Sequence, residues 1–258
     1  MNDTRKTKVL SVVNQKGGVG KTTTAINLST AFSIMGKKTL VIDLDPQGNA
    51  SSGFGIEKRS RLSTIYHALA GLERISETII KTNVNNLCVI SSNTNLAGAE
   101  IELIQLKQRE FVLRNLLDQI IHAFDYVIID CPPSLNLLTI NALTASNGVL
   151  IPMQCDFFSL EGLTHLLSTI EFVQKKLNQE IKISGILFTM YDKRNKLTEA
   201  VEKDVRDYLG DLVYSTTIPR NIKLSEAPSY GEPGVIYDHK CPGSVAYLAL
   251  TKEILARE

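Results

Sequence analysis

The chain has 258 residues, with 28 lysines and arginines against 27 aspartates and glutamates, a formal charge of +1. That length suits one α/β domain, and a balance this near neutral neither demands nor excludes a nucleic-acid partner, because only a local basic patch decides that. The 4 cysteines, Cys88, Cys131, Cys155 and Cys241, are too scattered for a zinc site and too few for a disulfide scaffold, which leaves free thiols in a reducing compartment.

Residues 1–8 are polar and basic, and the apolar run behind them covers only residues 9–13. That is too short for a signal peptide. No run approaches the roughly 18 apolar residues of a membrane span. The expectation is a cytoplasmic protein whose residues 1–7 are disordered. Residues 9–13 predict a strand, followed by a glycine loop. Residues 22–35 predict a helix, with Ala25, Leu28, Ala31 and Phe32 at helical spacing and Gly36 as its stop. Residues 39–42 predict a buried strand. A weaker stretch over 48–86 holds a short helix near 62–70.

Further along, strands are predicted at 87–90, 126–129, 148–151, 183–189 and 212–218. Helices are predicted at 98–124, 135–145, 160–177, 197–209 and 244–256. The strands are apolar throughout, with no alternation, so both faces must be covered. The fold class is therefore α/β: a mostly parallel twisted sheet with helices on both faces, in one domain over residues 1–258.

The loop QKGGVGKTT at 15–23 lies between the first strand and the first helix. Gly17, Gly18 and Gly20 let the backbone turn tightly, so that the amides from Lys16 through Thr23, Val19 included, can converge on phosphate oxygens. The helix N-terminus adds unpaired N–H groups and partial positive charge. Lys21 is placed to reach the β- and γ-phosphates, and Thr22 to offer its hydroxyl to Mg²⁺. The strict pattern G-x-x-x-x-G-K-[ST] fails at its first position, where Gln15 stands, and a second lysine, Lys16, sits inside the loop. Lys16 is positioned to cross to the γ-phosphate of a facing subunit, in the manner of a finger residue supplied in trans.

Two strand ends bring carboxylates: Asp43 and Asp45 in DLDPQG at 43–48, and Asp130 in DCPP at 130–133. Ligands gather at the carboxyl ends of parallel strands. Asp130 suits the Mg²⁺ shell through water, Asp45 the orientation of an attacking water, and Asp43 either task.

These segments resemble the deviant Walker A ATPases, and among them the ParA/Soj group. The matching pieces are NQKGGVGKTTT at 14–24, DLDPQGN at 43–49, DCPPS at 130–134, LTINAL at 138–143 and IPRNIKLSEAP at 218–228, in order along nearly the whole chain. The resemblance implies a P-loop NTPase that closes into a sandwich homodimer around Mg-ATP, with Lys16 as its signature lysine. It implies slow hydrolysis supported by Asp45 and by a Walker B acid at Asp130. It implies adenine contacts at Pro219 and Asn221, with Met190 as a further candidate.

The resemblance also implies non-specific binding of double-stranded DNA by the ATP dimer on the nucleoid, and release when a ParB/Spo0J-like partner stimulates hydrolysis. Arg194 and Lys223 fall where the group carries DNA-contacting basic residues, and Lys240 is placed to add to the same surface, with Lys193, Lys196 and Arg220 nearby. The function implied is a DNA-segregation switch. The residues before Lys16 are too few for an N-terminal helix-turn-helix module. A MinD-like, membrane-associated positioning ATPase is the alternative. It needs a C-terminal amphipathic helix with a basic face, and residues 244–258 read instead as a packed closing helix, so no membrane partner is expected.

Overall fold

The computed structural model describes residues 7–257, apart from the side chain of Phe158. The disorder expected for residues 1–6 lies outside the described residues. Thr7, counted in the same segment, is instead buried, with its hydroxyl 3.0 Å from the Ile121 carbonyl oxygen and 2.8 Å from that of Phe124.

Seven strands form one sheet: β1 (Lys8–Val12), β2 (Thr39–Asp43), β3 (Ile79–Lys81), β4 (Leu87–Ile90), β5 (Tyr126–Asp130), β6 (Gly148–Met153) and β7 (Lys182–Phe188). Their order is β3-β4-β2-β5-β1-β6-β7. Every pairing is parallel except β3 with β4. The helices in chain order are α1 (Lys21–Ile34), α2 (Asn49–Gly53), α3 (Ile65–Leu69), α4 (Leu96–Ile104), α5 (Val112–Leu117), α6 (Leu137–Ala145), α7 (Phe157–Lys176), α8 (Lys196–Leu209), α9 (Ile222–Glu226), α10 (Gly234–Tyr237) and α11 (Pro242–Ala256).

The continuous apolar strands do bury both faces. In β1, Leu10 and Val12 join Ala25, Leu28 and Phe32 of α1 and Tyr247 and Leu250 of α11 on one side. Val9, on the other face of the same strand, joins Leu138 of α6, Leu166 and Val173 of α7 and Val205 of α8. Phe32 stacks on Tyr126 with ring centroids 3.9 Å apart. Full burial of one such side chain contributes about 1.5–3 kcal/mol, against about 0–1 kcal/mol for an exposed ion pair. These two layers therefore hold the sheet, and the sheet in turn fixes where its loops begin.

Two expectations are corrected. Residues 98–124 do not form one helix. The pattern stops at Ile104, and the chain turns through Gln108 at φ 56 before resuming as a short turn at Arg109–Phe111 and then α5. The buried Asn141 amide accepts from the Leu113 N–H at 3.1 Å and donates to the Arg109 carbonyl at 2.8 Å, so two of the backbone groups freed by the break are paired. Residues 212–218 do not form a strand either. Only isolated parallel bridges occur, Ile186 with Val213 and Tyr191 with Pro219. The Ser215 and Thr216 N–H groups go to the Glu253 carboxylate at 2.7 and 2.9 Å, where a strand partner would otherwise take them.

Candidate functional site

The loop after β1 begins at a point where the sheet order reverses, with β5 on one side of β1 and β6 on the other. Asn14 sets its departure. Its amide donates to the Pro152 carbonyl at 2.7 Å, and its side-chain oxygen accepts from the Lys16 N–H at 2.9 Å. Gly18 and Gly20 take φ values of 72 and 84, the left-handed region that glycine enters without strain. The Thr189 hydroxyl, at the end of β7, donates to the Val19 carbonyl at 2.8 Å and holds the loop from its far side. No side chain caps the start of α1, so its first N–H groups stay available to an anion.

Lys21 is buried, with its ammonium 2.9 Å from the Lys16 carbonyl oxygen. Burial lowers its pKa, and the neighbouring Asp130 charge offsets part of that. Lys16 closes onto the Asp156 carboxylate at the start of α7. Gln154 bridges the loop to the next wall of the site, its amide nitrogen 3.0 Å from the Gly18 carbonyl oxygen and 3.0 Å from the Met190 sulfur.

Asp43 and Asp130 are register partners on adjacent strands, so both leave the sheet at the same level as the loop. Their environments differ. Asp43 Oδ2 accepts from the Ser51 N–H at 2.7 Å and the Ser51 hydroxyl at 2.6 Å, while Oδ1 accepts from the Asp45 N–H at 3.3 Å. Burial pushes its carboxyl up to about 6 despite those donors. Neither oxygen of Asp130 completes a hydrogen bond. Burial first, and then the Asp43 charge, raise the Asp130 pKa well above the carboxylate range, and the adjacent Thr22 hydroxyl offsets only part of this. Asp45 is nearly buried, and its Oδ1 accepts from the Gln47 N–H at 2.9 Å.

A fully buried carboxylate with no completed hydrogen bond is costly unless a cation joins it. Asp130, with the Thr22 hydroxyl beside it, fits a divalent cation on those grounds. Among the described residues no three acidic, histidine or cysteine side chains form a ready-made metal cage. That suits Mg²⁺, which keeps several waters and uses few protein ligands together with substrate phosphates.

Beside the loop lies a cavity of about 390 Å³ lined by Gly20, Thr23, Met190, Pro219, Asn221 and Tyr247 among others, within the range of small-molecule sites. Met190 takes a φ of 49, unusual for a residue with a side chain. Asn221 caps α9, its side-chain oxygen accepting from the Leu224 N–H at 3.2 Å, and it also lines the cavity. The structure thus brings together Lys16, Gly17, Gly18, Val19, Gly20, Lys21, Thr22, Thr23, Asp45 and Asp130, with Met190, Pro219 and Asn221 on the adjoining wall. Asn14, Gln154 and Thr189 were missed by sequence reasoning. Gln154 and Thr189 lie just past the ends of β6 and β7, and that position is the signal that could have found them.

The basic residues form a second region. The bridge between Tyr191 and Pro219 lays the segment of Arg194 beside that of Lys223, and the Arg220 charge acts on Asp192. Arg194 and Lys223 are occupied. Arg194 Nε and Nη2 bond Asp192 at 2.9 and 2.8 Å, and Lys223 Nζ bonds Glu226 at 3.0 Å. Lys240 is exposed, and its N–H donates to Asp238, whose charge also acts on Lys223.

A family model described as an AAA domain matches residues 7–183. The chain is 52% identical to the chromosome partitioning protein ParA of Caulobacter vibrioides, across 97% of this chain and 95% of that protein. It is 50% identical to the sporulation initiation inhibitor protein Soj of Bacillus subtilis, across 96% of this chain and 98% of that one. A solved structure of cobyrinic acid a,c-diamide synthase from Mycobacterium smegmatis, with bound ATP analog and magnesium, is similar at a TM-score of 0.85 and 35% identity, covering 97% of this chain and 95% of that one. The phosphate loop, the two acidic strand ends and this full-length similarity lead to one assignment: the chain belongs to the ParA/Soj family of chromosome-partitioning P-loop ATPases.

Proposed function

We propose that this chain is an ATP-driven switch for DNA segregation. The observation that carries the reading is Asp130, a buried carboxylate with no completed hydrogen bond, standing behind an uncapped helix N-terminus and beside Lys21. Mg-ATP supplies what that arrangement lacks. The amides of residues 17–21 take the β-phosphate, and the Lys21 ammonium leaves the Lys16 carbonyl for the β- and γ-phosphate oxygens. Thr22 directly and Asp130 through water would hold Mg²⁺, with Asp43 adding charge from behind. The ion supplies charge neutralisation at the phosphates. Asp45 orients the attacking water. Met190, Pro219 and Asn221 enclose the adenine.

Two chains closing face to face over two nucleotides give Lys16 its task at the partner's γ-phosphate. In that dimer the two copies of Arg194, Lys223 and Lys240 make one basic surface for double-stranded DNA, bound through phosphates without sequence preference. A ParB/Spo0J-like protein triggers hydrolysis and resets the switch on the nucleoid. The names of the relatives from Caulobacter vibrioides and Bacillus subtilis support this role. Against a membrane site stands the closing helix α11, which buries Tyr247, Leu250 and Ile254 in the core; no helix among the described residues is long and apolar enough to cross a membrane.

The test is DNA binding over a range of salt with ATP, with ADP and without nucleotide. Tight binding only with ATP is expected. Equal affinity in all three states would reject the switch.

A further inference from the structure

Arg61 stands in the weakly patterned stretch between the second and fourth strands, yet it is only 4% exposed. Its guanidinium bonds in several directions. Nε donates to the Ile56 carbonyl at 3.1 Å, and Nη2 to the same carbonyl at 2.7 Å and to the Ser52 hydroxyl at 2.8 Å. Nη1 donates to the carbonyls of Gly48 at 3.0 Å and Ser92 at 3.1 Å. All these acceptors are uncharged. A guanidinium withdrawn from water this far, with no carboxylate hydrogen-bonded to it, contributes geometry more than net Coulomb stability.

The groups it joins define one loop. Gly48 closes the turn that begins at Asp45, its N–H donating to the Asp45 carbonyl at 2.9 Å. Ser92 follows β4, and Ser52 and Ile56 flank the far end of α2. The start of the turn is held by Asp43, whose Oδ1 accepts from the Asp45 N–H at 3.3 Å; its Oδ2 also takes the Ser51 N–H and hydroxyl, and the Ser51 hydroxyl accepts from the Ser92 N–H at 3.0 Å. Asp45 therefore rides on a turn pinned at both ends, by a buried anion at one and a buried cation at the other. The fit is tight. Gly48 sits at φ 64, and a Cβ added there would collide with Nη1 of Arg61 and come within 2.8 Å of the Ser92 carbonyl oxygen.

We propose that Arg61 is a positioning residue for hydrolysis: it fixes the turn that carries Asp45 and touches no part of the nucleotide. This rests on the reading of Asp45 as the residue that orients water. Small displacements of such a group are expensive in rate, up to about a hundredfold for about 1 Å, while the phosphate loop, held by Asn14 and Thr189, keeps its grip on ATP.

The experiment measures turnover, ATP affinity and amide hydrogen exchange for Arg61→Lys, Ser52→Ala and Asp45→Ala. Lysine keeps the charge but cannot span the acceptors. Arg61→Lys is expected to lower kcat by about tenfold with ATP affinity within about twofold, and to speed exchange at Gln47 and Gly48 but not across residues 17–23. Ser52→Ala removes one acceptor and is expected to show the same pattern at about threefold, which keeps the test open should Arg61→Lys fail to fold. Unchanged kcat and unchanged exchange at residues 45–48 would overturn the proposal. So would parallel losses of kcat and ATP affinity with faster exchange everywhere, the mark of a purely structural residue. An Asp45→Ala protein that hydrolyses normally would overturn the reading of Asp45 as well, whereas an inactive Asp45→Ala beside a fully active Arg61→Lys would sink this inference alone.

Discussion

The Lys16 ammonium is closed onto the Asp156 carboxylate, which ties the phosphate loop to the first turn of α7. Asp156 already has work there: its Oδ1 accepts from the Ser159 N–H at 3.1 Å and the Ser159 hydroxyl at 2.9 Å, capping the helix. Burial of Asp156 raises its pKa, but the bonds from Lys16 and Ser159 outweigh that and hold it below the usual value. A lysine that serves a facing subunit must first leave this partner. The side chains are 39% and 30% exposed, so the attachment is soft, worth about 0–1 kcal/mol.

Asp156→Asn keeps a capping oxygen and removes the charge that holds Lys16. ATP-dependent dimerisation should tighten by about threefold, measured by sedimentation with a non-hydrolysable ATP analogue. Lys16→Ala should bind ATP and stay monomeric. Dimerisation of Lys16→Ala at the parent's affinity would remove Lys16 from the interface.

Asp130→Asn separates stability from function. The nucleotide-free fold buries a carboxyl whose ionisation burial opposes, so a neutral amide in its place should stabilise the fold by about 1 kcal/mol where the pH exceeds that raised pKa, a rise of about 2–4 °C in Tm. Turnover should fall to background. Thermal melting without nucleotide, paired with phosphate release, checks both; a lower Tm would mean that Asp130 has a partner in solution.

Asp43 gives a pH dependence whose sign can be worked out. Burial pushes its carboxyl up to about 6 from an ordinary 3.8. The folded chain therefore binds this proton more tightly than the unfolded chain does. The contribution to stability is complete below about pH 4 and is lost as pH rises through about 6. Melting of the nucleotide-free protein against pH, compared with Asp43→Asn, should show a steeper fall in the parent than in the variant, which keeps the contribution of Asp130.

On the basic surface, Asp192 competes with DNA for Arg194. Asp192→Asn should strengthen ATP-dependent DNA binding several-fold, and Arg194→Ala should weaken it while leaving dimerisation intact. For every phosphate that is no longer neutralised, the log–log salt slope should fall by about 1. Filter binding or anisotropy at several salt concentrations reads both, and an Arg194→Ala slope equal to the parent's would take Arg194 off the DNA.

Much of the site is local in sequence, which is why it could be read there. A loop that must turn tightly, present amides and start a helix needs glycine at the left-handed positions Gly18 and Gly20, with Lys21 next in line. The acids Asp43 and Asp130 end apolar strands, and parallel strands deliver their ends to one edge. The strands themselves were legible because burial on both faces demands unbroken apolar runs, as in β2, β4 and β5.

What only the tertiary structure decided was how chemically identical groups differ. Asp43 and Asp130 look alike in sequence, yet Ser51 bonds one and no donor completes a bond to the other. Residues 212–218 carry a strand's pattern, but Glu253, nearly forty positions on, takes two of the N–H groups that a strand would pair. Arg61 has no motif at all, and its five hydrogen bonds run to groups from Gly48 to Ser92. Sequence periodicity reports which residues must leave water. It cannot report which distant polar group will meet each buried donor or acceptor, because that pairing exists only after the layers have packed.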